Sequence, residues 1–387
     1  MNVPKIRFND FDDNIIKISI KELGNVITGT TPSTADRSNY GDEYLWASPV
    51  DMGDFKYINN TKTKLSEKGF NKTRCVPKDS ILITCIGSTI GKTGMASKEM
   101  STNQQINTLI PNKIYNSDYL YYCINFNFPR FLNKISFQAV PIISKSEFEK
   151  LEVSITKNIY EQEKIGKLLS LLDKKIELQS KKIEDLKLFK MSTLNSFFNN
   201  NTNVRKELIS KYCNLFTGKN KSNKINLNGN FFIMDMGSIS SEGYILKNKL
   251  TSDNSDMLSI GDLVMPKDDI GGGFIIGKTG YIDEDNKYVL GDHVYLIKSK
   301  GINSLFLHYQ INSRYINLQL KRKVTGSAQL GLKASNILNQ QIYVYNEEEQ
   351  AKIAKIFELL DSKIKLEIKK NNKLINLKKG LMQNMFV

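Results

Sequence analysis

The sequence has little of what metal, redox and hydrolytic sites are built from. Its four cysteines (Cys75, Cys85, Cys123 and Cys213) are scattered without a CxxC pair, and its two histidines, His293 and His308, fall in the same half. That spacing argues against a disulfide framework or a zinc site and points to reduced thiols in a cytoplasmic protein. No apolar run approaches the ~20 residues that span a bilayer. The opening stretch MNVPKIRFNDFDD has no apolar h-region, so a soluble, intracellular chain is expected. There is no GxGxxG after a strand, no HExxH and no GxSxG. A nuclease-like acid/lysine cluster and an adenine-methyltransferase tetrapeptide are also missing from the sequence. No metal site and no catalytic group is expected.

Arginine is scarce as well, with seven in 387 residues, yet Lys and Arg together number 55 against 40 Asp and Glu, a net charge of +15. A polyanionic partner fits that surplus, although an AT-rich genome also enriches Lys, Asn and Ile. The excess is spread along the chain: +4 for residues 1–160, +2 for the first long helical segment, +4 for 199–348 and +5 thereafter. A long shallow nucleic-acid track fits this spread, and a polybasic membrane anchor does not.

What the chain does have is a repeat. Glu161–Phe198 and Glu349–Phe386 align without a gap at an offset of 188 residues, with sixteen of 38 positions identical. The segments before them correspond more loosely, in the same order. Ile27–Gly29 is echoed by Phe216–Gly218, Asp51–Gly53 by Asp235–Gly237, and Ile90–Gly94 by Ile276–Gly280; Tyr122, Ile124 and Asn125 match Tyr309, Ile311 and Asn312. The organisation is therefore a tandem duplication, each copy a variable segment followed by a helix.

Both repeated segments carry apolar residues at helical spacing. The seam runs through Leu169, Leu172, Ile176, Ile183 and Leu186 in the first copy, and Phe357, Leu360, Ile364, Asn371 and Leu374 in the second. Gln179, Glu367 and Asn371 interrupt it, and Leu168, Leu171, Leu178, Ile356, Leu359 and Leu366 widen the stripe enough for more than one neighbour. At 1.5 Å per residue each helix would reach ~57 Å, and an antiparallel coiled coil between the copies is expected. The variable segments read as short strands and hairpins with a few helices, such as Ser117–Asn125 and Asn303–Leu320. The fold class is thus α+β with an internal pseudo-twofold repeat. Its expected parts are a first domain at 1–158, a helix at 159–198, a linker at 199–204, a second domain at 205–346 and a helix at 347–387.

Gly272–Thr279 satisfies GxxxxGK[ST], but strand and turn residues follow it where a phosphate loop requires a helix, and the first copy is one residue short. A glycine-bearing hairpin turn is the better reading.

The opening PKIRFNDF followed by Leu23–Thr34, the element Thr102–Gln105, the element Gly326–Gln329 and the repeated EQxKI…LLDxKI helices together resemble the specificity subunits of type I restriction–modification systems. The resemblance covers essentially the whole chain, and the helices are its specific part. It implies two target recognition domains, each reading one half of a bipartite, asymmetric site in double-stranded DNA. It implies helices that set the spacing and dock two methyltransferase subunits, with the restriction/translocase subunits joining through those. S-adenosylmethionine, ATP and magnesium would sit on the partners and none on this chain, so the assembled complex, not this subunit, would be an adenine-N6 methyltransferase and ATP-dependent endonuclease. The alternatives are a stand-alone two-headed DNA-binding protein, a recognition module for a fused modification–restriction enzyme, and a coiled-coil scaffold.

Phosphates call for lysines and amides, and base edges for a few Arg, Gln, Ser, Thr or His side chains. The candidates are Thr31, Ser33, Arg37, Arg74, Lys92, Gln104, Gln105 and Gln138 in the first copy. In the second they are Lys219, Lys221, Lys278, His293, Arg322, Lys323, Ser327 and Gln329. Where the first copy has Asn103-Gln104-Gln105 the second has Gly291-Asp292-His293, a divergence expected of copies that read different bases.

Overall fold

A computed structural model describes residues 4–53, 55–132, 141–199, 204–327 and 329–387. Two long helices dominate it, Ile159–Phe198 and Glu347–Met385. Each begins where an asparagine side chain takes up free backbone N–H groups: Asn158 accepts from Tyr160 and Glu161 (3.1 and 3.3 Å), and Asn346 from Glu349 (2.8 Å). Acidic first turns, Glu161 in one and Glu347 to Glu349 in the other, suit the positive end of the helix dipole. The chain divides into two compact units, 1–181 with 368–387, and 182–367, so each long helix contributes to both.

In the first unit, Ile15–Ser19 pairs antiparallel with Glu152–Thr156. A five-stranded sheet runs in the order Gly24–Thr28, Ile106–Pro111, Ile81–Thr84, Thr93–Ala96, Tyr57–Ile58. A second five-stranded sheet places Tyr44–Ala47 parallel to Met100–Thr102. The β-branched run Ile81–Thr84 is buried throughout, as its composition demands. Helix Ser117–Leu132 packs Tyr119, Leu120, Ile124 and Phe128 into the core, where Leu169 of the first long helix and Phe386 beyond the second join them. Tyr119 and Phe386 lie 5.5 Å apart, ring to ring.

The second unit repeats this plan with shorter strands. Lys206–Leu208 pairs with Gln341–Tyr343, and the order Cys213–Thr217, Val294–Ser299, Leu263–Pro266, Gly280–Tyr281 matches four strands of the first sheet. Phe231–Met234 lies parallel to Tyr288–Leu290, the counterpart of the parallel pair above. The expected helix Asn303–Leu320 is broken: Ser313 ends Ser304–Asn312 and caps Arg314–Lys321, its hydroxyl donating to the Gln310 carbonyl (2.6 Å) and accepting from the Ile316 N–H (3.4 Å). A serine that satisfies backbone groups on both sides stabilises a bend that apolar periodicity does not report.

The two units share a clamp. In the first, the Tyr122 hydroxyl donates to Asp173 (2.5 Å) and Lys378 pairs with the same carboxylate (2.6 Å) while lying 5.2 Å from the Tyr122 ring centre. In the second, Tyr309 donates to Asp361 (2.8 Å), and Lys190 pairs with that carboxylate (2.5 Å) and lies 5.3 Å from the Tyr309 ring centre. Burial, then the carboxylate's charge, raises both phenols well above their ordinary pKa, so both remain donors. The carboxylate comes from one long helix and the lysine from the other in both cases. Within the first unit Asn371 also donates to Ser180 (3.2 Å), and within the second Lys182 meets the buried Glu367 (3.2 Å). Pairing of 173 with 378 and 180 with 371 makes the helices antiparallel there.

The seam residues divide. Leu169, Phe357 and Ile364 are buried, whereas Leu172, Ile176, Ile183, Leu186, Leu360 and Leu374 are half-buried. Leu169 and Phe357 are buried in the cores of their own units, where Phe357 meets Phe197 of the other long helix as well as Tyr309, so part of the predicted seam packs against a domain in addition to a helix. Burying each such side chain stabilises by ~1.5–3 kcal/mol.

Candidate nucleic-acid interface

In the first unit the candidate readers gather where strand Gly24–Thr28 ends. Gly29 and Thr30 donate to the carbonyls of Ile106 and Thr102 (3.0 and 2.8 Å). A side chain at Gly29 would start 2.1 Å from the Asn103 carbonyl oxygen, so only glycine permits this approach. The loop then presents Thr31, whose hydroxyl donates to the Gln104 side chain, and exposed Ser33, whose carbonyl accepts from Asn39 (3.0 Å). Arg74 is exposed and braces the same loop, its guanidinium donating to the Thr28 carbonyl (2.9 Å). Buried Asn103 holds Gln105 by two bonds of 3.0 Å. Arg37 is exposed on the turn that Asp36 caps.

Thr31, Arg74, Gln104 and Gln105 are thus tied to one loop cluster, with Ser33 on the same loop. Lys92 lines something else: a cavity of about 940 Å³ that also involves Lys56, Asp118, Tyr121, Asp173 and Lys378, and none of the other candidates. Lys56 is buried there with its ammonium on Asp118 and on the Ser170 hydroxyl (2.7 Å). Gln138 lies outside the described residues, as does most of the expected linker.

The second unit repeats the loop geometry with different side chains. A side chain at Gly218 would start 2.5 Å from the Gly291 carbonyl oxygen, the counterpart of the approach at Gly29. Lys219 follows, exposed. His293 is exposed and meets Asp268 through Nδ1 (3.2 Å). Asp268–Asp269 pairs antiparallel with Leu330–Gly331, the strand that continues the exposed turn bearing Ser327 and Gln329. A small cavity of about 340 Å³ beside His293 is lined by Asp235, Lys249 and Asp292 among others. Arg322 is exposed at the end of helix Arg314–Lys321.

Three candidates here are corrected. Lys221 is buried, its ammonium surrounded by Asp253 (3.2 Å), Asp256 (3.4 Å) and the Ser255 hydroxyl (2.7 Å). A desolvated, fully bonded lysine holds a loop and has no free N–H for phosphate. Lys278 folds inward onto the Asn312 carbonyl (3.0 Å); burial, then Lys321 and Lys190, lowers its pKa to about 8. Lys323 is half-buried and donates to the Gln340 side chain (2.9 Å). The strand Gly280–Tyr281 follows Thr279, so the GxxxxGK[ST] stretch offers phosphate no helix N-terminus.

Sequence reasoning missed the organisers. Asn103, Trp46 (whose indole donates to the Thr30 carbonyl, 3.0 Å), Lys267 (whose ammonium donates to the Asp292 carbonyl, 2.5 Å) and Asp268 position the candidate readers without standing out by type. The position of Trp46, the single tryptophan, at the end of a strand was the one usable signal. Among the described residues no three His, Cys, Asp or Glu side chains converge as a metal site, and no helix is long and apolar enough to cross a membrane. All four cysteines are free thiols, three of them buried.

Comparison with known proteins bears on this arrangement. The specificity subunit of the type I restriction enzyme MjaIX of Methanocaldococcus jannaschii is 30% identical over 185 residues, 46% of this chain and 42% of that protein. The chain therefore matches less than half the length of this relative. The MjaVIII specificity subunit of the same organism is 23% identical over 337 residues, 81% of this chain and 79% of that one. The crystal structure of a type I restriction–modification S subunit from M. genitalium superposes with a TM-score of 0.66 at 18% identity, covering 100% of this chain and 99% of that one, a likeness of fold. The family model for the type I restriction modification DNA specificity domain matches twice, at residues 13–188 and 190–376, and the chain belongs to that family.

Proposed function

We propose that this chain is the DNA-reading subunit of a type I restriction–modification complex, each unit reading one half of a bipartite, asymmetric site in double-stranded DNA. The observation that carries the reading is a conserved frame with exchanged contents. The glycine-gated loop and the parallel strand pair recur in both units, while the side chains they present differ: half-buried Thr31 with exposed Arg74 and Gln104 in one, exposed Lys219, His293 and Gln329 in the other. Gln bridges adenine and Arg bridges guanine in the major groove, so exchanged side chains on one frame would read different bases.

The partners in this reading are two methyltransferase subunits docked on the long helices, with restriction/translocase subunits joining through them. Large apolar side chains left exposed on those helices support it: Leu171 and Leu178 in the first unit, Phe189, Leu359 and Leu366 in the second. S-adenosylmethionine, ATP and magnesium belong to the partners, and the chain itself acts by binding. Expressing it with its methyltransferase and mapping adenine methylation genome-wide tests the reading. A split motif with a fixed unspecified spacer is the expected result, and methylation that is identical without the chain overturns it.

A further inference from the structure

One exposed feature of the second unit is unaccounted for by polar readers. Between Asp269 and Ile275 the chain makes a tight loop that pushes Ile270 (68% exposed) and Phe274 (66% exposed) outward. Single exposed apolar residues are ordinary on a protein surface, but this loop is built to hold them. The buried Asp269 carboxylate accepts from the N–H groups of Gly271 (2.6 Å), Ile275 (2.8 Å) and Ile276 (3.3 Å), closing both ends on one anchor. Gly272 and Gly273 take positive φ (89° and 84°), and Gly273 approaches Leu330 on the paired strand so closely that a side chain there would start 3.0 Å from it. The first unit is four residues shorter between the matched strand and the IGKTG stretch: Ile86 is half-buried and bridges Ile142, and nothing corresponds to Phe274.

The loop's position says what covers it. Its anchor strand Asp268–Asp269 carries the carboxylate that meets His293, and pairs with Leu330–Gly331, next to Gln329 and Ser327. Exposed Arg322 ends the helix that leads into that turn. The apolar tips therefore stand on the same two-stranded ribbon as the polar candidates, with Arg322 exposed on the segment that leads into it. Apolar side chains at such places contact thymine methyl groups or lean on a base step.

We infer that Ile270 and Phe274 make apolar contact with a base of the half-site read by the second unit, so that this loop is a specificity determinant. The inference rests on the proposed function, and the test separates the two. Methylation maps are compared for the wild-type chain, Phe274→Ala and Phe274→Leu, each expressed with the methyltransferase. Phe274→Ala should lower methylation about tenfold or relax the motif at one position, in one half-site only, with Phe274→Leu intermediate. A split wild-type motif with an unchanged Phe274→Ala map overturns the inference alone. A wild-type map without a split motif overturns the proposed function and the inference with it. Loss of the co-purifying methyltransferase in Phe274→Ala also overturns the inference, because the loop would then be a protein-docking surface.

Discussion

Asp173 and Asp361 stand at matching points of the two long helices, and each takes a tyrosine hydroxyl from its own unit and a lysine from the opposite helix. Lys92 and Lys278 stand at matching points of the two IGKTG stretches, yet the first is exposed on a cavity and the second is folded onto Asn312. Duplication has preserved the first pair of contacts and released the second. The difference follows from what each contact does. A half-buried ion pair between helices is destabilising to break from either side, so both copies keep it. A loop lysine has no such constraint, and its neighbourhood drifts with the surface it serves.

The comparison is most severely tested at the clamps. Asp361 serves three donors, since Tyr244 also reaches it (2.6 Å), whereas Asp173 serves Tyr122 and Lys378. Asp361→Ala should cost about 3–5 kcal/mol of stability and Asp173→Ala somewhat less, measured by urea unfolding. Equal or reversed losses would break the ranking. Next come the glycine gates. Gly29→Ala and Gly218→Ala force a carbonyl to move and should cost about 1–3 kcal/mol each, with Gly29 the more sensitive because its approach is tighter (2.1 against 2.5 Å).

Reader substitutions should act on DNA rather than on folding. Gln104→Ala should weaken binding to a mapped site by about 1–3 kcal/mol and blur one position of one half-site, and Gln329→Ala should do the same in the other half. Loss in both halves from either change would contradict independent readers.

A pH-dependent effect concerns Lys278. Folded it titrates near 8, below the ~10.4 of an unfolded lysine, so the unfolded chain binds more protons between those values. Stability should therefore rise as pH climbs from about 8 towards about 10.4, and Lys278→Met should flatten that rise in urea midpoints.

Periodicity exposed the duplication and both long helices because a helix of 40 or 39 residues repeats its pattern many times. It did not show that seam positions also serve the domains: Leu169 and Phe357 are buried in the cores of their own units, where Phe357 meets Tyr309 as well as Phe197 of the other helix. Residue type alone could not tell an exposed lysine from a buried one. Lys219 and Lys221 are two positions apart, and only the carboxylates of Asp253 and Asp256, more than thirty residues on, draw the second inward. The candidate site was legible where a motif recurred with changed residues, as at Asn103-Gln104-Gln105 and Gly291-Asp292-His293. It was illegible where a candidate's setting depends on a neighbour brought in by the fold, as with Asp268 beside His293.

The most direct test of two independent readers on one frame is an exchange. Residues 205–346 are replaced by the corresponding segment of a relative with a different methylation motif, and adenine methylation is mapped with the same methyltransferase. One half of the motif should change to the relative's half-site while the other half and the spacer stay as they were. A change in both halves, or none in either, would contradict the account.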